Sequence, residues 1–513
     1  WGTIIISMIL SLMVFYVLYN ANNKYMTREE KAIHGILYAD GSYDSLPVYY
    51  LSREWEYYPD VLLTPGDDLE KYYFRYLSIG EYGGMELDDR NGNPYGSGTY
   101  RLRIMLPSEE HTYGLYLPEI FSAYNLYVDG KLIEQVGNPD PDHYEERIQH
   151  RMFTFKGHTS VEIMIAVTDK DSASPGIQYV PAFGNPLKVN TVRGIPVFLN
   201  SSVFTLVLLV LIFSVWAFFR TRSRANALFA GVCVCVLGYT CYPLLHTYLA
   251  LRVQPWFSLE MLFYYLTFPA MLLLEHEITG RKYKWVWWLV GFTAAAGIGA
   301  TVAGIFAGGM ETAALFYGVS AVTEVLKWFT AICLVVIAFF YTEGTRGLPL
   351  LAGTVLYASS LAADRIWPLY DPIIGGWFPE WGGTILAGVF GVILWRELTD
   401  GYRMRLIYEE QSRQMELRLM MQKEHYEKLT GALEEASRTR HDMRQYIRTA
   451  SMLLEEEHYE QLREYFHQFA KESSEKMQAP MCYCKNMSVD AILHYYAGQL
   501  EDAGVSFHHS IEV

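Results

Sequence analysis

Residues 203–224 read VFTLVLLVLIFSVWAFFRTRSR, an apolar run that ends in three arginines. The run is long enough to cross a bilayer, because about 20 apolar residues in a helix span its hydrocarbon core. Arg220, Arg222 and Arg224 mark one end of that crossing. The stretch therefore predicts an integral membrane protein.

Seven other stretches of the chain have the same apolar character. The eight predicted crossings are residues 2–19, 196–219, 226–247, 258–278, 285–307, 313–340, 347–367 and 377–396. The first is either a signal segment or an uncleaved anchor, and we expect an anchor because no small-residue cleavage site follows it. Mean hydropathy is only +0.07 although 51% of the residues are apolar, so polar soluble parts must accompany the spans.

The orientation of the spans is predicted by the lysines and arginines of their short loops. Basic residues follow alternate crossings and include Arg222, Lys282, Arg346 and Arg403, whereas the loops between them hold only Arg252 and Arg365. Cytoplasmic loops carry this excess, so residues 20–195 are expected outside and the C-terminal tail inside. The formal charge of −15 argues against nucleic acid as a partner.

Ionisable residues inside the spans are few. Glu324 and Lys327 share one helix face, where they form either a functional pair or a mutually neutralising pair that locks helix packing; the second is favoured. Five more are expected near span ends, within reach of water or headgroups: Glu260, Glu275, His276, Glu277 and Asp364. No proton-relay series or broken-helix pair stands out, which disfavours a transporter.

The six cysteines indicate no disulfide framework, because none lies in the predicted outer domain. Four lie in the spans, and Cys482 and Cys484 form a lone CxC pair in the tail. A metal site would need more ligands than this pair offers, so we expect two reduced thiols and no metal site.

Residues 45–190 alternate apolar and polar side chains at period two. Tyr100, Leu102, Ile104 and Leu106 point one way along their strand, and Arg101, Arg103 and Met105 the other. Further runs occur near 72–79, 113–117, 124–128, 131–136, 152–156 and 161–167. Asp129-Gly130 between two of them is a strong hairpin signal. The pattern predicts an all-β sandwich or jelly roll.

Three segments of this region carry a family resemblance: REWEYYPDVLLTPGD (53–67), GTYRLRIMLP (98–107) and YGLYLPEIFSAYNLYVDGKLIEQVG (113–137). They resemble the extracellular sensing domain of bacterial seven-transmembrane receptors that carry diverse intracellular signalling modules, a domain similar to galactose-binding jelly rolls. The resemblance implies a small extracellular ligand, such as a carbohydrate. Trp55 is a candidate sugar-stacking platform; alternatively, the aromatic residues fill the sandwich core.

The tail after the last span is charged and predicted to be helical. Its apolar residues step by four and three at Met415, Leu419, Gln422, Tyr426, Leu429, Leu433 and Ala436. This seam predicts a coiled coil over 398–436 and hence a homodimer, with a local fault at Gln422. Residues 438–473 then read as a helical hairpin that turns near Glu455–His458, and two such hairpins would form a four-helix bundle. The first helix carries Ile447, Leu453 and Leu454, and the second carries Leu462, Tyr465, Phe466 and Phe469.

The hairpin begins with RHDMRQ, residues 440–445. An exposed histidine can accept a phosphoryl group on a ring nitrogen, and Asp442 could hold the other ring N–H of His441. Gln445 lies one turn from His441 and could orient a water for hydrolysis of the phosphohistidine. Arg440 and Arg444 could offset phosphate charge.

The RHDMRQ string resembles the phosphoacceptor box of sensor histidine kinases of the quorum-sensing and citrate-sensor type. YCKNMSVDAILHYYAGQLEDAGVSF (483–507) is similar to the first segment of the ATP-binding domain in that family. The matching residues are Asn486, Val489, Asp490, Ala491, Ile492, Leu493, Gly504 and Val505. The family's Asn-rich helix, Gly-flanked Asp and glycine-rich lid are not found before Val513, so ATP and Mg²⁺ are expected to bind beyond this chain.

The combined prediction is a multi-domain sensor histidine kinase of a two-component system in the bacterial plasma membrane. A cytoplasmic response regulator would receive the phosphoryl group. The predicted segments are an anchor or signal segment at 1–20, a β-sandwich at 21–192, a seven-span bundle at 193–397, a coiled coil at 398–436, a phosphotransfer hairpin at 437–475 and an incomplete ATP-binding domain at 476–513. The alternative is a non-catalytic receptor that signals by dimerisation and partner recruitment.

Overall fold

The computed structural model describes most of the chain. The described residues are 2–80, 85, 95–107, 109–149, 151–170, 175–280, 283–307, 313–341, 347–476, 493, 496–497, 500 and 504. They form two compact units, Trp1–Asp400 and Gly401–Val513. The first unit contains a β-domain and most of the apolar helices.

The β-domain consists of short strands that follow the predicted period-two pattern. The described strands are β1 (Ile36–Tyr38), β2 (Tyr49–Tyr50), β3 (Trp55–Pro59), β4 (Arg75–Leu77), β5 (Gly96–Met105), β6 (His111–Leu117), β7 (Ala123–Val128), β8 (Lys131–Val136), β9 (Arg151–Gly157), β10 (Ser160–Asp169) and β11 (Ala182–Gly184). The larger sheet has the order β4-β3-β5-β10-β7-β8, with β1 parallel to β5, and the smaller has the order β2-β11-β6-β9. All other pairings are antiparallel.

The two sheets enclose one apolar core. Strand β5 contributes Tyr100, Leu102 and Ile104, and the facing sheet contributes Leu115 and Phe183. Alternate side chains of a strand point to opposite faces, so the period-two pattern of the sequence places these residues inside. The β-sandwich prediction is therefore confirmed.

The predicted hairpin forms at Asp129 and Gly130. Both residues have positive φ, 49° and 76°, and they join β7 to β8. Two consecutive positive φ values fit the tight turn that matches the twist of paired strands.

Apolar helices follow the β-domain, with one before it. Their bounds, in chain order, are α1 (Gly2–Ala21), α2 (Pro186–Thr221), α3 (Arg224–Tyr248), α4 (Trp256–Thr279), α5 (Lys284–Ala307), α6 (Ala313–Tyr341), α7 (Gly347–Ile366) and α8 (Phe378–Glu455). Among the described residues, all of these except α7 are long and apolar enough to cross a membrane. These seven helices indicate a multi-pass membrane protein, and α7 covers the remaining predicted crossing.

Helix α1 is built into the first unit. Phe15 is 3% exposed and packs with Ala363, Tyr370 and Phe378. Beyond the helix, the Asn23 side chain donates to the Leu369 carbonyl at 2.9 Å. The segment that follows α1 is thus tied to the loop between α7 and α8.

The second unit contains the rest of α8 and helix α9 (Tyr459–Lys476). The predicted coiled-coil segment and the first helix of the predicted hairpin belong to one continuous helix, which ends at Glu455. The chain reverses over Glu456–His458, where Glu457 has a φ of 56°. The helix therefore breaks where the turn of the hairpin was predicted.

Candidate functional site

His441 lies on the tail portion of α8, in an open position. Its side chain is 78% exposed and that of Asp442 is 59% exposed. The Nδ1 atom of His441 is 3.4 Å from Oδ1 of Asp442. This contact is long because consecutive residues of a helix point in different directions. It nevertheless places a carboxylate beside one ring nitrogen.

That arrangement bears on which nitrogen could react. When Nδ1 carries the proton, Asp442 accepts it and the lone pair of Nε2 faces outward. An exposed, unprotonated Nε2 is what a phosphoryl acceptor requires. The predicted role of Asp442 fits this geometry.

The other predicted site residues surround His441 without bonding to it. Arg440, Arg444 and Gln445 are exposed on the same helix. Within the described part of the tail, none of them forms a hydrogen bond or ion pair with His441. Gln445 stands one turn beyond His441, and its backbone carbonyl accepts from Thr449 Oγ1 at 3.0 Å. Their phosphate-supporting and water-orienting roles stay predictions.

The segment that resembles the first part of an ATP-binding domain falls mostly outside the described residues. Of the eight matching positions, only Leu493 and Gly504 are described: Leu493 is helical and Gly504 has a φ of 74° in a turn. Cys482 and Cys484 also lie outside. No group of three His, Cys, Asp or Glu in the described ranges could hold a metal ion.

The hairpin closes through aromatic residues. The ring of Tyr446 is 4.6 Å from that of Phe469 and 5.9 Å from that of Tyr465. Much of the predicted apolar face stays open, since Ile447 is 63%, Leu454 56% and Phe466 53% exposed. One copy of the hairpin thus leaves apolar surface uncovered.

The predicted coiled-coil seam is equally open. Exposed fractions along it are 57% for Met415, 54% for Leu419, 68% for Tyr426, 45% for Leu429 and 70% for Leu433. In a coiled coil, a second helix packs over a periodic apolar stripe of this kind.

The β-domain decides between the two interpretations of Trp55. Trp55 is fully buried, and its Nε1 donates to the Leu51 carbonyl at 2.8 Å. It belongs to the core and cannot stack on a ligand, so the sugar-platform assignment is wrong and the core alternative is right for Trp55. Exposed aromatic residues lie instead at the sheet edge, with Tyr73 67% and Tyr76 43% exposed. The sequence alone does not distinguish the buried aromatic residue from the exposed ones, because burial depends on which face of a strand packs against the second sheet.

The polar face of the larger sheet contains an ion cluster. Arg101 Nη1 lies 2.6 Å from Oε2 of Glu56, and its Nε donates to Glu162 Oε2 at 2.8 Å. Burial alone would lower the pKa of Arg101, but bonding to the two carboxylates outweighs it and holds the pKa above its usual value. The cluster joins β3, β5 and β10, and it stabilises the sheet.

The ionisable residues of the helices have two different environments. Lys327 Nζ lies 3.0 Å from Glu324 Oε1, so the two residues do form an ion pair. Glu275 is 0% and Glu260 8% exposed, which contradicts the expectation that water or headgroups reach them. Both lie at span ends in sequence, but neighbouring helices cover them.

Comparison with known proteins adds little. No family model and no curated protein matches the chain. Two similar solved structures are a GH2 β-galacturonidase from Eisenbergiella tayi bound to galacturonate, with 12% identity and a TM-score of 0.19, and a Faecalibacterium prausnitzii β-glucuronidase, with 14% identity and a TM-score of 0.18. The matches cover 27% and 25% of this chain and 24% and 22% of those chains. Scores of this size establish neither a shared fold nor a ligand.

Proposed function

We propose that this protein is the sensing and phosphoacceptor part of a dimeric membrane histidine kinase of a two-component system. The observation that carries the proposal is the open presentation of His441, beside Asp442, in a helical hairpin whose apolar face is uncovered. The resemblance of RHDMRQ to a phosphoacceptor box supports the same role. A separate response regulator in the cytoplasm would receive the phosphoryl group.

The proposed orientation follows the basic loops. The β-domain would lie outside the plasma membrane and the tail in the cytoplasm. A small extracellular ligand is proposed for the sensing side. The proposal of a small ligand such as a carbohydrate does not use Trp55, because that residue is buried.

A route for the signal is supported by Asp371, in the loop between α7 and α8. Its Oδ1 lies 2.8 Å from Lys24 Nζ, beyond α1, and its Oδ2 accepts from the Val180 backbone N–H of the β-domain at 2.9 Å. Both ionic side chains are nearly covered, at 11% and 7% exposure. A movement of the β-domain would therefore displace the loop that leads into α8. The same helix carries His441.

The dimer is proposed from the tail. The open seam from Met415 to Leu433 and the open hairpin residues Ile447 and Phe466 would be covered by a second copy. Two hairpins would then form a four-helix bundle around the phosphoacceptor. Phosphorylation of His441 is proposed to come from a catalytic domain outside the described residues.

The test is labelling of the natural full-length protein with [γ-³²P]ATP in membranes. We expect acid-labile label on the wild type and its complete loss in His441→Gln. The control is His425→Gln, an exposed histidine of the same helix, which should keep the label. Equal labelling of His441→Gln and wild type would refute the assignment, and no label on either would favour the non-catalytic receptor.

A further inference from the structure

An open cleft of about 470 Å³ lies beside the last turns of α1, where the chain folds back after the helix. Tyr16 and Asn20 lie one turn apart and share a face of α1, and together they form much of the wall on the helix side. Helix α1 contributes Tyr16, Val17 and Asn20 to the lining, and the segment after it contributes Met26, Thr27 and Arg28.

Hydrogen bonds to the loop 367–377 hold the cleft in shape. The Asn22 side chain donates to the Ile374 carbonyl at 2.7 Å and accepts from the Ile374 backbone N–H at 2.8 Å. A turn follows, in which the Met26 N–H donates to the Asn23 carbonyl at 3.0 Å. These bonds direct the chain back along α1, so the cleft is an ordered part of the fold.

The cleft lies at one end of a helix that is long and apolar enough to cross a membrane. The 20 residues of α1 match the hydrocarbon core of a bilayer, which is about 30 Å thick. At the same end of α1, the ring of Trp367 lies 5.7 Å from that of Tyr19 and 5.8 Å from that of Tyr16. Tyrosine and tryptophan concentrate where the hydrocarbon meets the headgroups. The cleft is therefore at the level of the lipid headgroups.

One half of the cleft is apolar. Tyr16 is 56%, Val17 62% and Met26 41% exposed, so their apolar surface is not covered by the protein. In a bilayer, the acyl chains of lipids cover such surface. A small, fully polar ligand would leave this half of the cleft unused.

Arg28 brings a positive charge to the other half. Its side chain is exposed, and within the described part of the chain it forms no hydrogen bond or ion pair, including with Glu29 or Glu30 that follow it. Lys24, by contrast, is paired with Asp371 at 2.8 Å. A guanidinium group binds a phosphate through two parallel N–H···O bonds. The charge and the position of Arg28 therefore suit the phosphate of a lipid headgroup.

We propose that this cleft binds one phospholipid of the adjoining leaflet, with its phosphate on Arg28 and an acyl chain against Tyr16 and Val17. Soluble phosphate esters share the phosphate chemistry, but the apolar half of the cleft favours the lipid. The site requires that α1 crosses the membrane and does not depend on the role of His441. Only the assignment to the outer leaflet rests on the proposed orientation.

The test is native mass spectrometry of the full chain in detergent, titrated with dioleoylphosphatidylglycerol. The dissociation constant of the first bound lipid is measured. Dioleoylglycerol, which has the same acyl chains without the phosphate, should bind at least about tenfold more weakly. Glycerol phosphate, which has the phosphate without the chains, should not displace the lipid.

Two results with these ligands would overturn the proposal. Equal affinity for dioleoylglycerol and dioleoylphosphatidylglycerol would show that the phosphate is not recognised. Displacement by glycerol phosphate would show that a soluble phosphate ester is the ligand.

Variants locate the site. Arg28→Gln should weaken binding of the first lipid at least about fivefold, because a charged hydrogen-bond donor is lost. Arg28→Lys keeps the charge and should give an affinity between those of Arg28→Gln and the wild type. The control is Lys131→Gln, which removes one exposed positive charge from β8 and should leave binding within about twofold.

Wild-type affinity in Arg28→Gln, or an equal loss in Lys131→Gln, would contradict the site. Lipid binding is measured without ATP and should be the same in wild type and His441→Gln. A failure of lipid binding therefore leaves the His441 assignment standing, and loss of that assignment leaves the lipid site standing.

Discussion

The β-domain and the tail differ in how far their apolar side chains are buried. In the β-domain, Trp55, Leu102 and Phe183 are fully buried between two sheets of the same chain. In the tail, Leu433 is 70% and Ile447 63% exposed. Burial of apolar area is the main favourable contribution to folding. The β-domain completes its core alone, whereas the tail leaves apolar side chains uncovered.

Charges show the same contrast. Arg101 is 12% exposed and held by two carboxylates, whereas Lys428 and Glu424 of the tail pair at 2.8 Å with 75% and 65% exposure. Exposed pairs of this kind contribute little to stability. The tail's surface charges therefore do not replace a buried core.

The largest expected effect is on the closed core. Trp55→Ala should lower the free energy of unfolding of the β-domain by about 3–5 kcal/mol, because it leaves a cavity between the sheets. Urea-dependent protease resistance of the full chain in nanodiscs measures this. Tyr73→Ala, an exposed aromatic at 67%, should change stability by less than about 0.5 kcal/mol. Similar losses of stability in the two variants would contradict the expected difference between a buried and an exposed aromatic residue.

A smaller effect is expected on the open seam. Leu433→Lys places a charge where a partner helix should pack, and it should weaken dimerisation at least about tenfold, or 1.4 kcal/mol. Cross-linking of the full chain over a range of protein-to-lipid ratios measures the dimer. Met420→Lys is the matched control, since Met420 is 68% exposed but lies off the seam. Loss of the dimer in both variants, or in neither, would argue against the seam.

The smallest effect concerns Lys31 in the β-domain. Its Nζ donates to the Lys24 carbonyl at 3.0 Å and to Thr27 Oγ1 at 2.6 Å. Burial lowers its pKa to about 8. Between about pH 8 and its ordinary value of 10.5, the unfolded chain binds a proton that the folded chain has released, so the stability contribution of Lys31 rises with pH.

The measurement is thermal unfolding of wild type and Lys31→Met at several pH values from 7.5 to 10. The stability of the wild type relative to the variant should increase with pH by no more than about 1 kcal/mol. Lys71→Met, whose side chain is 72% exposed, should run parallel to the wild type. A difference that shrinks with rising pH would contradict the assigned shift.

Much of the fold could be read from local patterns. The alternation in Tyr100–Leu106, the Asp129-Gly130 turn and the helical reversal near Glu455 depend on residues close in sequence, and each was predicted. The burial of Glu260 was not predicted, and Trp55 stayed open between core residue and ligand platform, because the surroundings of both come from distant parts of the chain. A sequence pattern shows that a residue is aromatic or acidic, but not what covers it.

The sequence by itself determined the apolar spans, the strand pattern of the β-domain, the helical tail and the identity of His441 as the residue to test. These follow from hydrophobic period and local turn chemistry, which act over a few residues. Only the tertiary structure decided that Trp55 is core and that α1 packs against the loop before α8. Contacts between residues hundreds of positions apart arise from packing of whole elements, and no local period encodes them.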